Sequence, residues 1–130
     1  MRRSISSEIR LHERHILIVA DLATRAVVRP ICEAQGYLCV DAAEGEVALR
    51  VLHILQVKAI VLDAEIHGLP ALEVVRRVRA APGYEKVPVI ALAPLGGAGL
   101  QLIEAGAAAC VIKPIDKREL TAVLERHLPA

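Results

Sequence analysis

Three ionisable residues each follow a short apolar run, which makes them the first candidates for chemistry. Ala59-Ile60-Val61-Leu62 leads into Asp63, Ile16-Leu17-Ile18-Val19-Ala20 into Asp21, and Cys110-Val111-Ile112 into Lys113-Pro114. A fourth run, Val87-Pro88-Val89-Ile90-Ala91-Leu92, ends on Ala93-Pro94. Such runs, rich in β-branched residues and bounded by turn signals, read as strands buried on both faces, so each delivers its last residue to a sheet rim. In an open parallel α/β sheet the carboxyl ends of the strands share the edge where ligands bind. Two readings stay open for Asp63, Asp21 and Lys113 from spacing alone. One is a rim ion pair of Asp63 with Lys113, with Asp21 as a helix cap; the other is a ligand site at that shared edge.

The segments between these runs must position them. After the first strand, His15 to Ala20, Asp21 or Thr24 caps a helix with inner face Val27, Ile31 and Ala34. Pro30 removes a backbone donor inside that helix and predicts a kink or a late start. Gly36 ends it, Tyr37 to Val40 is a second strand, and 41–45 is loop. Glu46 to Leu55 has helical spacing through Val47, Val51, Leu52 and Leu55. After Asp63 and a loop, a helix to about Arg79 buries Leu72, Val75 and Val78 and shows Arg76, Arg77 and Arg79 to solvent. Pro94-Leu95-Gly96-Gly97-Ala98-Gly99 lacks the lysine ending of a P-loop and reads as a flexible turn. A short helix, Leu100 to Ala105, stops at Gly106. The last strand, Ala109 to Ile112, precedes a helix capped by Asp116 with Glu119, burying Leu120, Val123, Leu124 and Leu128. Strand and helix alternate five times, which predicts a parallel sheet covered on both faces.

The 130 residues make one domain with an ordinary core. The chain is 55% hydrophobic but has no Phe or Trp and only 2 Tyr, so Ala, Val, Leu and Ile must fill that core. A net charge of +1 and the scarcity of aromatics argue against direct nucleic-acid binding, and no run is long enough to span a membrane. Cys32, Cys39 and Cys110 have neither paired nor metal-like spacing and read as reduced core thiols of a cytoplasmic protein. Met1-Arg2-Arg3-Ser4 lacks the apolar stretch of a secretion signal. Residues 1–14 are expected to form a tail or a short extra helix, with His12 and His15 solvated rather than a metal pair. His53 reads as a surface residue. Met1 and a helix closing at Leu128-Pro129 fit a stand-alone domain.

The chain resembles the receiver domain of two-component response regulators, the chemotaxis-type fold. The resemblance covers residues 15 to 128. It rests on His15 through Asp21, Gly36-Tyr37, Ala42-Ala43-Glu44-Gly45-Glu46-Val47-Ala48-Leu49, Val61-Leu62-Asp63 with Gly68 and Leu72-Glu73, Val87 through Leu92, Ala105-Gly106-Ala107 and Lys113-Pro114. It implies a doubly wound five-stranded parallel sheet, flavodoxin-like, in the order 2-1-3-4-5. It also implies that Asp63 accepts a phosphoryl group from a histidine kinase or histidine phosphotransfer protein. Asp21, Asp63 and the backbone carbonyl of Glu65 would bind Mg²⁺, and Lys113 would pair with Asp63 and then with the phosphate. The domain would signal rather than act as an enzyme, and a homodimer is compatible with the family.

Several positions depart from that family pattern. Ala20 stands where the first of two adjacent acids is usual, which predicts weaker Mg²⁺ binding. Ala93 replaces a Ser or Thr whose hydroxyl would meet the phosphoryl group, and Cys110 replaces a switching aromatic. His67 takes the place of a loop Pro, and Pro70-Ala71 the place of Asp-Gly. These departures favour an atypical receiver or, as an alternative, a phosphorylation-independent interaction module. A hydrolase with Asp63 as nucleophile and Glu65 as acid/base ranks last, because haloacid dehalogenase-like enzymes carry that motif on their first strand and need a longer chain.

Overall fold

A computed structural model describes residues 14–129. Five strands, β1 (His15–Val19), β2 (Leu38–Ala42), β3 (Ala59–Asp63), β4 (Val89–Ala93) and β5 (Ala109–Ile112), alternate with five helices. The helices are α1 (Leu22–Glu33), α2 (Gly45–Ile54), α3 (Ala71–Ala80), α4 (Ala98–Ala105) and α5 (Lys117–His127). All strand pairs are parallel, in the order β2-β1-β3-β4-β5. The expected fold class is the observed one.

The twofold alternation of strand side chains divides the core into two layers. Leu17, Val19, Ile60, Leu62, Val89 and Ala91 face α2, α3 and α4, while Ile16, Ile18, Ala59, Val61, Ile90, Leu92 and Val111 face α1 and α5. The two tyrosines do the anchoring that aliphatic side chains cannot. The Tyr84 hydroxyl donates towards the carbonyls of Leu52 (3.2 Å) and Leu55 (3.0 Å) and accepts from the Val57 N–H (3.4 Å). Tyr37 donates to the Pro129 carbonyl, and the Arg14 guanidinium lies 4.5 Å from its ring centroid. Arg14 is thus docked on the domain, whereas the rest of the expected tail, including His12, lies outside the described residues.

Several local expectations are corrected. The buried face of α1 is Val28, Ile31 and Cys32, with Val27 half-exposed and Ala34 exposed. Capping by Asp21 starts the helix at Leu22, and the i, i+3, i+4 set that then meets the sheet lies one step round from the expected one. No late start occurs at Pro30; the helix runs through it, and because Ala26 and Pro30 are both exposed, solvent can reach the carbonyl that loses its donor. β2 continues through Asp41 and Ala42, which pair with Ile18 and Val19. On α2 the deepest residues are Gly45, Ala48 and Leu52, while Val47, Val51 and Leu55 sit at the boundary. On α3 Ala71 and Val74 join Val75 and Val78, and Leu72 is only half-buried. β4 starts at Val89 rather than Val87. Arg79 does not share the solvated face of Arg76 and Arg77: its guanidinium donates to the carbonyls of Gly106 (2.9 Å) and Tyr84 (3.1 Å). The glycine-rich turn is shorter than expected, because Ala98 and Gly99 already belong to α4.

Candidate functional site

Asp63 is the only buried charged residue among those described, at 3% exposure. Strand parity puts its side chain in line with Ala59 and Val61 on the α1/α5 side of the sheet, and puts Lys113 in line with Val111 on the same side. Leu92 of β4 lies between the two strands in register. The Lys113 ammonium reaches across this gap and donates to both Asp63 carboxylate oxygens, each at 2.9 Å. A third bond of 2.9 Å runs from the same ammonium to Glu65 Oε1. The Glu65 N–H donates to Asp63 Oδ1 at 2.8 Å, so the turn leaving β3 folds back on the carboxylate. Burial alone would push the Lys113 ammonium towards its neutral form, but the bonds to Asp63 and Glu65 outweigh it and hold its pKa above the ordinary value.

Asp21 plays a different part. It is exposed, and its Oδ1 accepts the Thr24 N–H at 2.8 Å as the N-cap of α1. That bond, from the first free N–H groups of a helix, holds the carboxyl below the ordinary carboxylate range. Lys113 is near enough to reinforce the same shift. Ala20 follows Val19, which pairs with Leu62, so it stands beside Asp63 on the same face and is fully buried there. A methyl group occupies the place where a second acid would project.

The loop after Asp63 is held from the far side by Glu46. Its Oε1 accepts the Leu69 N–H at 3.0 Å, a bond that lowers the Glu46 pKa. Gly68 has φ +77, and a Cβ there would meet that carboxylate at 2.7 Å, so both the backbone and the contact favour glycine.

Ala93 and Cys110 sit on the opposite face of the same strand ends. Cys110 packs against the α2/α3/α4 layer. Both approach Gly99 of α4: a Cβ at Gly99 would collide with Cys110 Sγ and lie 3.5 Å from the Ala93 methyl. Ala93, Gly99 and Cys110 therefore form a contact of small residues that brings α4 close against β4 and β5. The role of Gly99 could not be read from its glycine-rich surroundings.

Comparisons with known proteins bear on the fold and the family. A family model for the response regulator receiver domain matches residues 16–125. The chain belongs to that family. The aerobic respiration control protein ArcA of Escherichia coli (strain K12) is 31% identical over 113 residues, covering 82% of this chain and 45% of the relative. The phosphate regulon transcriptional regulatory protein PhoB of Pseudomonas aeruginosa is 32% identical over 116 residues, covering 87% and 51%. The receiver domain thus spans about half the length of these curated relatives. Among solved structures, the receiver domain of the sensor histidine kinase PA1611 from Pseudomonas aeruginosa PAO1 superposes with a TM-score of 0.79 at 26% identity, covering 88% of this chain and 96% of that one. That structure has a magnesium ion coordinated in its active-site cleft.

The donors here suit the same class of ion. Asp21 and Asp63 offer carboxylate oxygens, and a hard cation that keeps several waters needs only one or two of them. Among the described residues no group of three or more His, Cys, Asp or Glu forms a closed cage. No helix among them is long and apolar enough to cross a membrane.

Proposed function

We propose that this receiver domain accepts a phosphoryl group on Asp63 from a phosphohistidine of a histidine kinase or phosphotransfer protein. The observation that carries the reading is the buried Asp63 carboxylate, bonded through both oxygens to Lys113 at a sheet rim. One Asp63 oxygen attacks phosphorus, the phosphorus–nitrogen bond breaks, and the histidine ring leaves with that electron pair. An aspartyl phosphate results. Lys113 starts on the nucleophile and transfers its bonds to the phosphoryl oxygens as charge moves onto them. Glu65 gives the ammonium a second acceptor, so Lys113 need not leave the rim when Asp63 is modified. Mg²⁺, when bound by Asp21, Asp63 and the Glu65 carbonyl, would supply charge neutralisation at the transferring phosphoryl group. Its affinity is expected to be weak because Ala20 supplies no carboxylate.

The second reading, a phosphorylation-independent interaction module, draws support from the Ala93, Gly99 and Cys110 contact. That contact offers neither a hydroxyl for the phosphoryl group nor an aromatic side chain that can change position. Intact-mass spectrometry after incubation with Mg²⁺ and a small phosphodonor distinguishes the two. A stable phosphoryl adduct in the unaltered protein that is absent from Asp63→Asn supports the acceptor. No adduct in either protein favours the interaction module.

A further inference from the structure

Away from the rim, the α1/α5 layer holds two thiols that the phosphoryl chemistry does not use. Cys39 of β2 pairs in register with Ile16, whose side chain faces α1, so the Cys39 side chain points to the same layer. Its Sγ–H donates to the Arg29 carbonyl at 3.9 Å. Cys32 lies three residues beyond Arg29 on the buried face of the helix, and helical side chains lean back over the preceding turn. The Cys32 thiol is thereby directed to the turn that Cys39 already touches, and Cys39 packs against the buried cluster to which Cys32 belongs. Cys32 is fully buried, whereas Cys39 is only partly buried, on the edge strand. Arg29 also donates to the Cys39 carbonyl and pairs with Asp41, which fixes a guanidinium beside the more accessible thiol.

We propose that Cys39 and Cys32 form a redox-modification site in which Cys39 reacts with a hydroperoxide and Cys32 resolves the product to an intramolecular disulfide. The Cys39 thiolate attacks the outer peroxide oxygen, the oxygen–oxygen bond breaks, and the leaving alkoxide or hydroxide takes up a proton. Cys39 is now a sulfenic acid. The Cys32 sulfur then attacks the Cys39 sulfur, the sulfur–oxygen bond breaks, and hydroxide departs with the Cys32 proton as water. Two thiols are oxidised by two electrons, and the hydroperoxide is reduced to an alcohol, or to water when it is hydrogen peroxide. The neighbouring Cys32 thiol favours the Cys39 thiolate, with Arg29 adding to it against burial and the Glu33 and Asp41 carboxylates, whereas Cys39 and burial disfavour ionisation of the fully buried Cys32. The nucleophile and the resolving thiol are therefore distinguished by their surroundings.

The test treats the folded full chain with hydrogen peroxide and follows intact mass and peptide maps. The expected result is loss of two hydrogen masses with a Cys32–Cys39 cross-linked peptide, reversed by dithiothreitol and retained in Cys110→Ser. In Cys32→Ala the loss disappears, and Cys39 instead becomes labelled by dimedone, which traps sulfenic acids. In Cys39→Ala neither signal remains, whether or not Cys32→Ala folds well. A disulfide that forms only in urea, one that joins Cys110, or preferential dimedone labelling of Cys110 in the folded protein overturns the proposal.

Discussion

The carboxyl end of the sheet has two faces, and they have been built on opposite principles. On the α1/α5 face, the buried Asp63 carboxylate keeps its charge because Lys113 bonds it at 2.9 Å, and the same ammonium reaches the exposed Glu65 at 2.9 Å. On the α4 face, a few ångströms of strand away, Ala93, Gly99 and Cys110 exclude polar groups and bring the helix against the sheet without room for a further methyl. The first face holds a carboxylate and an ammonium that can change partners. The second is set up to stay where it is. A ligand shifts a conformational equilibrium only through contacts that differ between two states. Phosphorylation of Asp63 would thus have to act through Lys113, Glu65 and the loop held by Glu46, since the α4 face presents no hydroxyl to it.

The strongest way to break this contrast is to remove the ammonium. Lys113→Met leaves Asp63 buried beside Glu65 with no cation, and breaking a buried pair from one side is costly because a charge remains uncompensated. With the lysine side chain a quarter exposed, solvent reduces the cost, and we expect a loss of about 2 kcal/mol in urea unfolding. Asp63→Asn should cost less, about 1 kcal/mol or below, because the amide oxygen can still accept the Glu65 N–H and Lys113 keeps Glu65. The double variant should cost less than the sum; strict additivity would show that the pair does not couple. The raised Lys113 pKa gives the alkaline side of the same result. Its stabilising contribution is complete below the ordinary value of 10.5 and lost as pH rises through the higher folded value, so Lys113→Met should flatten the alkaline limb of stability against pH.

The α4 face can be tested by adding one methyl. Gly99→Ala in an ordinary helix would stabilise by about 1 kcal/mol. Here the new Cβ meets Cys110 Sγ, and overpacking typically costs about 1–3 kcal/mol. The sign of the measured change decides between them, and a net loss of about 1 kcal/mol is expected from these opposing terms. Cys110→Ala in the same chain should recover most of that loss, a coupling that a generic helix effect would not produce. If Gly99→Ala is neutral or stabilising, the helix is free to move back from the strands and the contrast between the faces weakens.

The rim was legible in the sequence because it depends on period and punctuation. Apolar runs ending on Asp21, Asp63 and Lys113 fix which residues reach the sheet edge, and strand parity then decides which share a face. What escaped the reading depended on distance across elements. Asp41 was placed in a loop, yet it pairs with Arg29 and Arg25 from the end of β2. In the receiver reading Glu65 contributes a backbone carbonyl, whereas in the structure its side chain shares the lysine. Gly99 looked like turn composition, and nothing local to it reveals that a strand sulfur occupies the space of its missing side chain. Proximity of Cys32 to Cys39 is hidden for the same reason, because it arises only when α1 lies down on β2.

The smallest expected effect separates two roles of Asp21 that the rim contrast combines. Its carboxylate caps α1 and also stands among the candidate magnesium oxygens. Asp21→Asn keeps a side-chain oxygen for the Thr24 N–H, while Asp21→Ala removes it, and Asn is among the best N-cap residues. The alanine variant should therefore lower the melting temperature slightly and the asparagine variant should leave it near that of the unaltered protein, as followed by circular dichroism. Because the folded pKa of Asp21 lies below the ordinary 3.8, its charge-dependent contribution is present above that value and fades as pH falls through the lower one. Both variants should lose this part of the acid dependence, and the acid dependence from Glu46, lowered by its bond to Leu69, should remain. In a magnesium titration followed by NMR, both should bind more weakly than the unaltered chain. Equal weakening with unequal stability would assign the charge to the metal and the oxygen to the cap, whereas unchanged magnesium affinity would leave Asp21 as a helix cap alone and confine the reactive face to Asp63, Lys113 and Glu65.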